Sequence, residues 1–194
     1  DGNVTVSVTL AIDDGSSDDD FDAVSDQVVN ATAIDNEVLS IGLNGDGDLT
    51  IDDSSTAGLA DNVTLTIVST DLVVTDPDNV LVSSVGTQVS DHEVRVPLAT
   101  ITNQKVVTNH GPGKDQLNAA GVTSTLSLEA AGGPGDDTLT GGSLDDTLDG
   151  GLGDDDLDGG SGTDVLTISQ DGHLTITTTQ TFGQGTDTFA NIEQ

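Results

Sequence analysis

Four consecutive nine-residue blocks between Gly132 and Thr167 constrain this chain more than any other feature: GGPGDDTLT, GGSLDDTLD, GGLGDDDLD and GGSGTDVLT. Each opens with two glycines, places aspartate at position 6 and an aliphatic residue at position 8. A period of nine marks a repeat architecture in which successive copies stack on one another. Positions 1 to 6 suit a turn, because glycine accepts positive φ and lets neighbouring backbones approach closely. Positions 7 to 9 suit a short strand whose central residue points inward. Leu139, Leu148, Leu157 and Leu166 hold that inward place and predict a thin aliphatic core.

The blocks also concentrate acid. The 194 residues carry a net charge of −32 against three cations, Arg95, Lys105 and Lys114, with 33% hydrophobic and 2% aromatic residues. Such a balance ordinarily gives disorder, but here the acids are patterned and β-branched residues are abundant. Stacked coils lie about 4.8 Å apart, and two carboxylates at that spacing repel by about 3 kcal/mol at an effective dielectric near 20. Bound divalent cations remove this penalty. Turn carbonyls and the position-6 carboxylates of Asp137, Asp146, Asp155 and Asp164 supply hard oxygen donors of the kind calcium takes. Calcium is therefore the expected cofactor, as several ions, and the repeats are expected to loosen without it.

These residues resemble the RTX (repeats-in-toxin) family of secreted bacterial proteins, whose motif is G-G-x-G-x-D-x-U-x. The resemblance implies a right-handed parallel β-roll in which two repeats make one coil and each calcium lies between turns two repeats apart. It would pair Asp137 with Asp155 on one side and Asp146 with Asp164 on the other. Gly132, Gly133, Gly135, Gly141, Gly142, Gly150, Gly151, Gly153, Gly159, Gly160 and Gly162 would fill the family's glycine positions. Leu144 departs from the motif at position 4 of the second block, where backbone strain is expected. Degenerate copies put Asp115 (in Gly111–Leu117) and Asp187 (in Gly183–Phe189, read as a terminal cap) at the aspartate position. More loosely, Asp71–Asn118 resembles the β-strand repeats of large bacterial surface proteins.

The first half alternates with period two, as in Val4, Val6, Val8 and Leu10, and predicts strands separated by Asp-, Pro- and Asn-containing turns. The fold class read from this is all-β. An antiparallel sandwich or hairpin region over 1–105 precedes a calcium-binding β-roll over 106–194. The only helix-compatible stretch is Phe21–Asn30. A second calcium loop is suggested by Asn44, Asp46, Asp48 and Asp53, which match positions 3, 5, 7 and 12 of an EF-hand-like loop with Gly47 at its sharp turn. An acidic hairpin turn explains the same residues. The Asp13–Asp22 run reads as a solvated loop or a cation site at a domain junction.

The charge excludes nucleic acid as a partner, since that needs a basic face. No apolar run is long enough for membrane insertion. The chain has no cysteine, and calcium substitutes for disulfides as a staple in a small extracellular domain. Beginning at Asp1 with no leader, it is expected to be processed or a fragment. His92, His110 and His173 show no zinc spacing and no nucleophile motif, and read as surface residues. No catalytic constellation emerges, so the chain is not expected to be an enzyme. The expected role is a calcium-stabilised extracellular structural module of a fibre, surface layer or adhesin stalk. Its partners would be copies of itself, joined head to tail (with 4–11 as a contact strand), or neighbouring domains. The alternative is a calcium-dependent carbohydrate-binding or adhesive module, or a secretion-related tail of a larger enzyme.

Overall fold

The computed structural model describes residues 4–10, 27–33, 38–53, 55–56, 58–167, 175–176, 180–182 and 186–192. The acidic run 13–22 and His173 lie outside them. The chain divides into two compact units, Asp1–Asp35 and Asn36–Gln194. In the first, β1 (Val4–Leu10) and β2 (Gln27–Ala33) pair antiparallel, with Val6 registered opposite Ala31. The helix-compatible stretch is therefore strand from Gln27 onward, because cross-strand pairing overrides a weak local preference.

The second unit begins with β3 (Val38–Leu43), β4 (Leu49–Asp53), β5 (Asn62–Val68), β6 (Asp71–Thr75), β7 (Val80–Ser83), β8 (Thr87–Ser90) and β9 (Glu93–Pro97). A single 3-10 turn, Leu98–Thr100, follows. Next come β10 (Lys105–Asn109), β11 (Gln116–Gly121), β12 (Ser127–Pro134), β13 (Thr138–Thr140), β14 (Thr147–Leu152), β15 (Asp156–Asp158) and β16 (Val165–Leu166). The last strands are β17 (Thr175–Ile176), β18 (Gln180–Phe182) and β19 (Thr186–Ala190). The protein is all-β, with mixed parallel and antiparallel sheets and no α-helix among the described residues.

Two parallel ladders dominate. In one sheet β4, β10, β12, β14 and β16 stack in that order; in the other, β5, β11, β13, β15 and β19 do. The chain alternates between the sheets, so each passage adds one strand to both. The change of sequence texture at Val106 falls inside this stack, which reaches back to Leu49. Antiparallel strands extend it. At the start, β3 and β7 lie beyond β4, and β6, β9 and β8 beyond β5; at the end, β18 and β17 fold back beyond β19.

Register explains why the stack crosses so different a sequence. One inward column runs Val63, Leu117, Leu139, Leu157, Phe189. The other runs Ile51, Thr108, Ala130, Leu148, Leu166. Irregular coils and perfect repeats thus present one residue each to the same file, and a one-residue slip would turn every file outward. The core is almost wholly aliphatic, and Leu139, Leu148 and Leu157 are at most 1% exposed. Phe189 packs partly buried against its end.

Leu157→Ala should cost about 2–5 kcal/mol of unfolding free energy. Denaturant unfolding reads this as a lower midpoint, whereas a shift no larger than a surface substitution gives would show that the file carries little of the stability.

Candidate metal centre

The crossings between the sheets are built from aspartate and glycine. On one side, turns 110–115, 132–137 and 150–155 place Asp115, Asp137 and Asp155 in a column. It starts at Asp61 and ends at Asp187. Each aspartate Oδ1 accepts the main-chain N–H of the aspartate one coil earlier. Asp61 N–H donates to Asp115 at 2.8 Å, Asp115 to Asp137 at 2.8 Å, Asp137 to Asp155 at 2.9 Å and Asp155 to Asp187 at 3.1 Å. The main chain answers in the opposite sense, since Thr138 N–H donates to Asp115 O and Asp156 N–H to Asp137 O, both at 2.8 Å. Aspartate suits this place because its short side chain reaches one coil spacing and no further.

The second carboxylate oxygens decide the chemistry. Oδ2 of Asp115, Asp137 and Asp155 is buried and has no hydrogen-bond partner among the described residues. Leaving a buried polar atom unpaired is costly. The Oδ2 atoms of Asp137 and Asp155 point to the turn's first residue, where a Cβ on Gly132 or Gly150 would overlap them. Main-chain oxygens line the same column. Gly133 (φ +109°) and Gly151 (φ +103°) lie against the carbonyls of Gly111 and Gly133, and Gly135 and Gly153 against those of Gly113 and Gly135. Any side chain there would displace the carbonyl of the preceding coil.

Among the described residues, no three carboxylate or imidazole groups converge to hold an ion by themselves. A cation here draws on main-chain oxygens as well. Free Oδ2 atoms stacked with glycine carbonyls are such a mixed set, and they fit calcium, which accepts about six to eight oxygens in flexible geometry.

The opposite side repeats the column with a difference. Leu128 N–H donates to Asp146 Oδ1 at 2.7 Å and Asp146 N–H to Asp164 Oδ1 at 2.8 Å. Asp146 Oδ2, however, accepts Gly142 N–H of its own turn at 2.6 Å. This is the turn with Leu144 at position 4. Neither Gly142 nor Leu144 has positive φ, whereas Gly160 and Gly162 in the next turn stand at +87° and +145°. The strain expected at Leu144 is avoided by a different backbone path.

Burial disturbs the acids. Desolvation lifts the carboxyl of Asp115 to about 8, with the Asp61 N–H opposing it and neighbouring carboxylates adding to it. The same cause takes Asp155 to about 7 and Asp146 to about 6, and raises Asp137 and Asp61.

A model of the RTX calcium-binding nonapeptide repeat matches residues 131–166 in four copies. That segment belongs to the RTX repeat family, whose repeats bind calcium and are typical of secreted proteins. No curated protein and no solved structure matches the chain. No helix among the described residues is long and apolar enough to cross a membrane.

Of the other candidate residues, three share one turn and the fourth, Asp53, does not join them. Asn44, Asp46 and Asp48 form the turn between β3 and β4. Asn44 Oδ1 accepts the N–H of Asp46 and of Asp48 at 3.0 Å each, and Asn44 and Asn103 amides hold Asp48 at 2.8 and 2.6 Å. Asp53 stands at the far end of β4, registered opposite Leu39. Strand extension separates what a helix–loop–helix would bring together. His110, read as a surface residue, is 0% exposed, because it takes the first position of turn 110–115, which glycine holds in the repeats. Asp61 belongs to the aspartate column although nothing around it spells the motif; only its register shows the membership.

Two outcomes follow. Folded-state carboxyls raised above their unfolded values, near 4, keep protons that the unfolded chain has lost. In chelator, stability should therefore be highest near pH 4 and fall as pH rises from there to about 8, by which point Asp146, Asp155 and Asp115 have ionised in the folded chain as well. Melting in chelator at stepped pH checks this, and a midpoint that rises over that window would contradict the buried-acid picture. Gly151→Ala combines positive φ with a carbonyl clash; it should lower the melting point by more than Gly45→Ala, whose site is open space, the strained φ alone being worth about 1–3 kcal/mol.

Proposed function

We propose that this chain is a calcium-stabilised extracellular structural module, a building block of a fibre, surface layer or adhesin stalk. In this reading the parallel ladders form a right-handed β-roll. Ions seat between successive turns, held by carbonyls such as those of Gly133, Gly135, Gly151 and Gly153 together with Asp137 and Asp155 on one side, and by Gly160, Gly162, Asp146 and Asp164 on the other. The observation that carries it is the file of buried aspartate oxygens left without partners beside stacked glycine carbonyls. A proton can quiet such an oxygen at low pH, and a divalent cation does so at neutral pH.

The acids are committed to the scaffold in this reading and perform no catalysis. The structural role draws support from the stack itself, since a ladder of coils grows by adding strands at its ends. Exposed edge strands, such as β8 with all four residues exposed, offer unpaired backbone to a neighbouring chain or domain.

Calcium titration followed by circular dichroism and sizing tests both halves. Sheet content and melting point should rise with added calcium and fall on chelation, and Asp155→Asn should need more calcium for the same gain. A chelated chain with unchanged melting point would refute the metal role. A calcium-loaded chain that stays monomeric at high concentration would refute self-assembly.

A further inference from the structure

Above the matched repeats, where the loop before β5 meets turn 110–115, the same parts recur in different residues. Gly111 has φ +70°, and a Cβ on it would overlap Asp53 Oδ2. A Cβ on Gly113 would overlap the carbonyl oxygen of Leu59 and Oδ1 of Asp115. A side-chain carboxylate and a main-chain oxygen of the first coil thus lie over this turn, where the repeats place two glycine carbonyls. Asp61 closes the rung by donating its N–H to Asp115 Oδ1 at 2.8 Å.

Carboxylates are concentrated here, and Asp53 is met by Ser55 N–H, which donates to it at 2.7 Å, rather than by a cation. Asp53, Asp61 and Asp115 are 3%, 1% and 0% exposed. Buried carboxylates need a partner charge or a metal. Arg95 and Lys105 are paired with Glu93 and Glu129, and Lys114 is exposed. Asn79 Nδ2 gives Asp61 one hydrogen bond at 3.0 Å, and His110 Nδ1 lies 3.3 Å from its other oxygen. Two fully buried polar atoms remain without partners among the described residues, Asp115 Oδ2 and His110 Nε2.

We propose that this junction holds a further calcium ion, bound by the Asp53 carboxylate, the Leu59 carbonyl and Asp115 Oδ2, with Asp61 steadied beside it by His110. The oxygen donors select a hard cation over zinc or copper. The inference rests on the calcium reading of the repeats and extends it to residues that no repeat motif covers. The ion would fasten the irregular first coil to the repeat stack, so the β3–β9 region would lock when metal arrives.

Native mass spectrometry of the full chain with calcium, unaltered and as Asp53→Asn, tests it. The variant should carry one ion fewer at saturation while keeping its sheet content. An unchanged count overturns the inference. Should the variant fail to fold, crystals of the unaltered chain grown with calcium decide. An ion within about 2.3–2.6 Å of Asp53, Leu59 O and Asp115 supports it, and filled repeats beside an empty junction overturn it alone. A chain that binds no calcium anywhere overturns the reading of the repeats as well.

Discussion

Buried aspartates stacked one coil above another are the interaction on which this structure turns. Each spends one oxygen on the backbone of the coil before it, at 2.8–3.1 Å in the longer column. That bond fixes coil spacing and register. It also drives like charges together in a desolvated file, where burial pushes Asp115 and Asp155 to about 8 and 7. Protons in acid, or a divalent ion near neutrality, would answer that charge. Glycines follow from the same constraint, since coils this close leave no room for a Cβ against the preceding carbonyl at Gly133 or Gly151.

Aliphatic files, one with Val63 at one end and Phe189 at the other, align the ladders and join the buried cluster of the antiparallel strands. A protein with three aromatic residues in 194 has few large side chains to pack, so strand register is set by aliphatic files and by parallel pairing. The two columns differ in readiness. Asp137 and Asp155 hold an unpartnered oxygen, whereas Asp146 turns its own toward Gly142 N–H. A cation entering the turn with Leu144 has to displace a hydrogen bond that the other side does not make.

Period nine alone announced the turn–strand unit, the inward Leu139, Leu148 and Leu157, and the position-6 aspartates, because local spacing and stacking share one period there. Alternation and turn residues likewise marked the strands of the first half, except β8 (Thr87–Ser90), which carries no apolar alternation. Local pattern could not show that β4 and β5 are the first coil, since Ile51 and Val63 join the files only through pairing with Thr108 and Leu117. Nor could it place Asp53: a loop reading groups it with Asn44, Asp46 and Asp48, but an extended strand carries it to the opposite end and over Gly111.

The sequence by itself determined the all-β character, the repeat and its oxygen-rich chemistry, for these depend on residues a few positions apart. The tertiary structure decided where the stack begins, which buried acids share a column, and that His110 sits inside it. The reason is geometric. Parallel coils bring together residues 18 to 57 positions apart, as in Asp137 with Asp155 and Asp52 with Asn109, and such neighbours are set by strand register, which no local motif encodes.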